Sequence, residues 1–293
     1  MKTAEVAPGS PEGAILYLSP VRSSAFPEEW YEISSVDHFW FEWRLRATLR
    51  LLRWARLDPA APLKVLDVGG GAGLLREQLE RHTRWTVDLC DLNVSALGAA
   101  RQGRGRILYY DVLQRDPSLE AAYDVCVLFD VLEHVEDTRT LLCAIAHHLR
   151  RGAVLLVNVP AHGALMSAYD RAAGHLRRYG ERSLRAELQR LAFEVLTLRQ
   201  WGLSLLPLLW LRKLLLGRNP DARTIRRGFD PPSAFVHGLL KAMMAAETAV
   251  MPLPPVGTSL VLAARRIGGG GPAPGSGTPD EHPEDDQPAE AAE

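Results

Sequence analysis

The sequence predicts an α/β protein built on a parallel sheet, and three observations carry that expectation. Short apolar runs of the fully buried strand kind alternate with helix-patterned segments five times between Lys64 and Val159. A glycine-rich turn, Gly69 to Gly73, joins the first run to the helix after it. Acids stand where strands end, at Asp91, Asp111 and Asp130, and that edge is where open α/β sheets bind ligands. At 293 residues the chain suits one large domain with decorations. We expect an extended N-terminal arm over 1–27, a domain over 28–267, and a tail over 268–293 whose glycines, prolines and acids predict disorder.

The elements follow in order. Residues 1–27 hold Pro, Gly and Ser around one brief apolar patch, Ala14 to Leu18. From Val36 to Arg56, the residues Phe39, Trp43, Thr48 with Leu49, and Leu52 recur at helical spacing and predict an amphipathic helix. Lys64 to Val68 reads as a buried strand, and a helix runs from near Leu74 to about His82. The second strand is Trp85 to Leu89, closing on Cys90 and Asp91, and the third is Ile107 to Tyr110. Tyr123 to Phe129 is a continuous apolar fourth strand ending at Asp130. A helix from Asp137 to Arg150 and a strand from Ala153 to Val159 complete the repeat. Beyond Pro160 the pattern changes: polar groups gather from Ala161 to Tyr179, a helix follows from Ser183 to Leu191, and strands are expected at Phe193–Arg199 and Gly257–Arg265.

A glycine loop alone is weak evidence, so its spacing has to choose the ligand. The dinucleotide fingerprint needs a glycine at position 74, and Leu74 there disfavours an NAD-dependent oxidoreductase. The phosphate loop needs a Gly-Lys-Ser/Thr ending, and none follows. What remains is Asp67-x-Gly69-x-Gly71-x-Gly73, which resembles the first motif of the class I S-adenosylmethionine (SAM) methyltransferases. The string Asp130-Val131-Leu132-Glu133-His134-Val135 resembles SAM methyltransferases of the ubiquinone and menaquinone biosynthesis type. Gly174 to Tyr179, GHLRRY, is similar to the same family, including members tied to glycan or lipid-linked substrates. The resemblance runs from about Asp37 to Arg265. It departs at the loop, where many relatives read GCGTG or GCGSG and this chain reads GGGAG.

The resemblance implies a doubly wound, Rossmann-like sheet of seven strands, mostly parallel, with an antiparallel last strand, an N-terminal lid helix and a helical insertion. It also implies SAM as cofactor. Asp67 would face the methionine end, while Gly69, Gly71 and Gly73 admit the nucleoside. Asp91, about 20 residues past the loop, would accept hydrogen bonds from the ribose hydroxyls, with Asp88 as its competitor. Asp111 matches the position that contacts the adenine amino group, although turn chemistry explains an Asp there equally well. Leu92, Val112 and Asp130 complete the cofactor set. His134 and His175 are the candidate general bases, and His134 could instead cap the helix or contact the cofactor. For the acceptor we select His38 and Trp40 from the lid string, then Tyr169, Arg177, Arg178 and Tyr179.

Residues 202–256 form an unusually long link. Leu203 to Leu216 is strongly apolar with Arg212 and Lys213 inside it, yet too short for a span of ~20 apolar residues. An interfacial helix or substrate cap is one reading; a core-packed or dimerising helix is the other. The chain carries −1 in all, and the tail after Ile267 holds seven acids and no Lys or Arg, so the body is mildly basic. That excess is too small and scattered to argue nucleic acid. Cys90, Cys126 and Cys143 lack metal-type spacing and read as reduced thiols of a cytoplasmic protein, with no metal site expected. Residues 1–13 lack the basic start and apolar centre of a signal sequence. The expected function is methyl transfer to an O, N or C acceptor on a small molecule, natural product, glycan or lipid-linked substrate, with peripheral membrane contact as an option. A SAM-binding protein without catalysis is the alternative.

Overall fold

The computed structural model describes residues 15–22, 37–191, 193–215 and 233–268. Most of the expected arm, residues 216–232 of the insertion and the tail beyond 268 lie outside them. Strands β1 Ile15–Tyr17, β2 Lys64–Val68, β3 Thr86–Asp91, β4 Ile107–Tyr109, β5 Tyr123–Phe129, β6 Leu149–Pro160, β7 Phe193–Trp201 and β8 Ser259–Arg266 form one sheet. Their order is β1-β4-β3-β2-β5-β6-β8-β7. Helices are α1 Phe39–Trp54, α2 Leu74–His82, α3 Val94–Ala99, α4 Thr138–His148, α5 Ala168–Ala172, α6 Glu181–Gln189, α7 Leu206–Leu215 and α8 Ala234–Val250.

The sheet has eight described strands where seven were expected. The extra one is the apolar patch of the arm, which adds to the edge of β4 in parallel, with Ile15 opposite Ile107. Three residues are too few to show an alternating pattern, so the arm concealed a strand. The remaining frame matches the expectation: β2 lies parallel between β3 and β5, and β8 inserts antiparallel between β6 and β7.

Because strand side chains alternate in direction, each strand feeds two cores. Val65, Val87 and Val125 pack on one face against Trp43, Leu51 and Leu79 from α1 and α2. Leu66, Leu108 and Cys126 pack on the other against Leu142, Ile145 and Leu188 from α4 and α6. The sheet is therefore covered on both sides, as a doubly wound fold requires. The aromatic stripe of α1 is core: Trp43 is fully buried, and losing a side chain of that size there costs ~3–5 kcal/mol.

The described parts of the insertion pack on the core. Glu247 on α8 is buried and accepts from the backbone N–H of Gly202 (3.1 Å), Leu203 (3.0 Å) and Ser204 (2.6 Å), so one carboxylate holds the chain entering α7. Leu205 and Met244 are buried beneath, whereas Leu214, Phe235 and Val250 face outward. The three cysteines are free thiols, two of them buried.

Candidate active site

The tips of β2 to β6 and the helices α1, α7 and α8 border an open cavity of about 1130 Å³. Its floor is the glycine loop. Gly69 and Gly71 have φ of +70° and +55°, which L side chains rarely adopt. A Cβ at Gly70 would stand 2.7 Å from Asp67 Oδ2 and 2.5 Å from Leu89, so the loop can lie this low only as glycine. The N–H of Gly69 donates to Cys90 O at 2.8 Å and ties the loop to β3.

Two acids define this end. Asp91 is clamped: Gly71 N–H donates to Oδ2 and Asn93 N–H to Oδ1, both at 2.8 Å. Burial raises its pKa, and those backbone bonds oppose the rise. Each oxygen keeps a second lone pair for another donor. Asp67 is buried, and its Oδ2 has no hydrogen-bond partner among the described residues. Burial pushes it up to about 7, against the nearby Arg44 charge.

Asp130 sits at the tip of β5 with φ +58°, held between Arg44 Nη1 (2.5 Å) and Asn158 Nδ2 (2.7 Å). Trp201 Nε1 donates to Asn158 Oδ1 at 2.9 Å and continues the chain of contacts. Arg44 reaches this point from α1, its guanidinium 5.0–5.6 Å from the rings of Trp40, Phe41 and Phe129. Three positions after Asp130, Glu133 is fully buried on the cavity wall with both carboxylate oxygens unpartnered among the described residues. Burial, with Asp130 adding to it, pushes its pKa well up.

His134 and His175 meet edge to face, ring centroids 4.8 Å apart. His134 Nδ1 donates to Gly174 O at 3.1 Å; burial first and His175 second lower its pKa to about 4, so the ring is neutral near pH 7. His175 Nδ1 contacts Asp170 Oδ1 at 3.2 Å, and Arg178 bonds the same oxygen through Nε (3.0 Å) and Nη2 (2.6 Å). Burial alone would raise Asp170, but His175, Arg178 and Ser167 outweigh it and hold the carboxylate ionised. Glu133, His134 and His175 each offer one ligand atom, all within 4.8 Å of one another, so this corner has the donor set for a metal ion. Opposite, Arg212 from α7 stacks 3.9 Å over the Tyr169 ring.

Most of the selected residues line this cavity: Asp67, Gly69, Gly71, Asp91, Leu92, Asp111, Val112, Asp130, His134, His175, Trp40, Tyr169 and Arg178. Four do not. Gly73 is the left-handed cap of α2, φ +77°, needed for the turn rather than for contact. His38 caps α1 by accepting from Trp40 N–H at 3.2 Å and packs on Phe39. Arg177 turns away to Glu136 O at 3.2 Å. Tyr179 is buried in a bridge to Ala161, its hydroxyl donating to Leu132 O at 3.3 Å. Sequence reading missed Arg44, Glu133 and Arg212 as wall residues. The signal for Arg44 was its position four residues after Trp40, and for Glu133 its place beside His134.

A methyltransferase domain family matches residues 34–198, more than half of the chain. The chain belongs to this family. The match takes in α1, the glycine loop, Asp91, the His134 turn and the His175 segment, and it stops before α7, α8 and β8. Among curated relatives, the ubiquinone biosynthesis O-methyltransferase of Paracidovorax citrulli is 30% identical over 148 residues, 46% of this chain and 62% of that protein. The protein of the same name from Leptothrix cholodnii is 29% identical over 44% of this chain and 61% of its own length. The chain thus matches about three-fifths of each relative. Among solved structures, it is similar to a SAM complex of Haemonchus contortus phosphoethanolamine N-methyltransferase 2, with TM-score 0.49, 16% identity, and coverage of 76% of this chain and 52% of that one. A SAM-dependent methyltransferase from Archaeoglobus fulgidus gives TM-score 0.45 at 17% identity, covering 78% and 98%. In this methyltransferase domain, the matched part builds the cavity floor and the unmatched helices build its roof.

Proposed function

We propose that this protein transfers a methyl group from SAM to an oxygen, nitrogen or carbon atom of a small-molecule acceptor. The observation that carries the reading is the pair of acids at the glycine loop. Asp91 is clamped with lone pairs to spare, and Asp67 keeps a buried, unshared Oδ2 under a loop that a Cβ at Gly70 would fill. Orphaned buried acceptors beside a glycine cradle fit a nucleoside carrying a cationic amine.

Asp91 would hold the ribose hydroxyls, and Leu92, Asp111 and Val112 the adenine end. Asp67 would take the amino group at the methionine end, and Arg44 the carboxylate beside it. SAM, when bound, supplies a methyl already activated by its sulfonium, so alignment of the acceptor supplies much of the rate. Trp40, Tyr169, Arg178, Glu133 and Arg212 would form the acceptor wall. His134, neutral near pH 7, and His175, oriented by Asp170 so that Nε2 can take a proton, are the bases for an acceptor that must lose one. The relatives, named as O-methyltransferases, favour oxygen as the acceptor atom. Leu208, Leu211 and Leu240 on the roof favour an apolar, lipid-linked or natural-product acceptor met at a membrane surface.

Release of S-adenosylhomocysteine from SAM in the presence of an acceptor panel tests the reading. A protein that binds NADH and ignores SAM overturns it. Turnover unchanged by a chelator keeps His134 and His175 as bases; turnover lost and restored by a divalent ion makes them, with Glu133, its ligands.

A further inference from the structure

We infer that the outer face of α8, with the arginine stripe of α1 beside it, is a docking surface for an anionic lipid bilayer, set at the mouth of the acceptor chamber. The inference deepens the acceptor reading above and rests on it for the role of the chamber.

The outer face of α8 carries no polar side chain. Phe235, Leu239, Ala242, Ala246 and Val250 are exposed and recur at helical spacing, with Phe235 79% and Val250 84% accessible. A contiguous exposed apolar face on a stable helix marks an interaction site rather than chance exposure. None of the described helices is long and apolar enough to cross a membrane, so this one suits lying in an interface.

Charge decides the occupant. Arg46, Arg50 and Arg53 stand at i, i+4 and i+7 on α1 and line a cleft of about 270 Å³ whose other wall is Ala245, Thr248 and Ala249 of α8. Guanidinium groups beside an apolar helix match phosphate headgroups above acyl chains. A second copy of this chain would bring no acids to meet them from the same helical surfaces, since Glu247 is spent on the amides at 202–204 and Glu42 on Arg46 and Lys241.

Position links the surface to function. Leu208, Leu211 and Leu239 line the chamber and are also 41%, 50% and 59% exposed. The apolar face therefore runs without interruption into the acceptor side of the cavity. An acceptor held in a bilayer would pass between α7 and α8 without crossing water.

Flotation of the full chain tests this, with phosphatidylcholine vesicles prepared with and without phosphatidylglycerol. The wild type should rise with anionic vesicles at low salt and stay down with neutral ones. Phe235→Glu with Val250→Glu should abolish flotation, and Arg50→Gln and Arg53→Gln should each weaken vesicle affinity roughly fivefold, equivalent to ~1 kcal/mol. All four positions lie outside the cavity wall, so SAM affinity by calorimetry and melting temperature should hold in every variant. Flotation without SAM binding would break the methyltransferase reading and leave the docking surface standing. The docking proposal is overturned if the wild type stays down with all vesicles, or if the Glu pair instead converts a dimer to a monomer. Binding that emerges only after residues 268–293 are removed also overturns it for the full chain, giving the surface to the acidic tail.

Discussion

The glycine loop and the cap bracket the same cavity, and different forces hold them. The loop is positioned by strands in register: Asp67 lies opposite Leu89 and Val127, and Gly69 and Gly71 are bonded to β3 and its terminal acid. The helices over the cavity are held by separate side-chain contacts: Glu247 on the amides at 202–204, Leu205 and Met244 in the core, Arg212 over Tyr169, Lys213 on Ala164 O, His237 on Phe39 N–H and Lys241 on Glu42. Dense, sheet-supported backbone preorganises a site for a ligand of fixed shape. A roof held by side chains, with no strand ladder running through it, depends on residues that the floor does not use. The contrast predicts that cofactor affinity and cap stability respond to different residues.

The sharpest break of that contrast is Gly71→Arg. The position has φ +55° and lines the cavity floor, so the substitution adds backbone strain and fills the proposed nucleoside site. SAM binding by calorimetry should vanish while the roof keeps its protection in hydrogen exchange. Binding within tenfold of wild type would move the cofactor elsewhere.

Next in size is a matched pair. Asp91→Ala removes an acceptor of charge-assisted hydrogen bonds worth ~1.5–3 kcal/mol, so SAM affinity should fall about ten- to hundredfold. Glu247→Ala leaves three amides and the Ser204 hydroxyl without their acceptor. It should destabilise α7 and α8 by a similar ~1.5–3 kcal/mol, seen as faster amide exchange there, with SAM affinity nearly unchanged. Equal loss of affinity in both variants would show that roof and floor are one cooperative unit.

The same contrast explains what was legible in the sequence. Strands β2, β5 and β8 and the acids at strand ends carry local signals: apolar runs, turn glycines, and the offset from loop to Asp91. Residues whose role depends on distant partners carry no signal of those partners. Arg44 meets Asp130 across 86 positions and Glu247 meets Ser204 across 43, and neither spacing leaves a trace in one sequence. Gly73 shared a motif with Gly69 and Gly71, but a motif does not separate the glycine that shapes a helix cap from those that line a cavity. Arg177 and Tyr179 flank Arg178, and extended backbone sends neighbours in opposite directions: only Arg178 faces the cavity.

The last effect concerns the proton on Asp67. Burial raises its pKa from 3.8 to about 7, so between those values the folded protein binds a proton that the unfolded chain has released. Its contribution to stability is therefore present below about pH 4 and is lost as pH rises through about 7. His134 and His148, both lowered to about 4, act in the opposite sense, because below about 6.5 the unfolded chain takes protons that the folded chain refuses. Only the difference between wild type and Asp67→Asn isolates the carboxyl. The Asn variant should melt higher than wild type at pH 8 and no higher at pH 4. For the proposed pairing of Asp67 with the cofactor's amine the sign reverses, since that pairing needs the ionised acid: SAM affinity should fall by up to about tenfold per pH unit below about 7. In Asp67→Asn that slope should disappear along with most of the affinity. A wild-type affinity flat from pH 8 to pH 5 would show that Asp67 is ionised throughout, and would assign the charge partner to Arg44 alone.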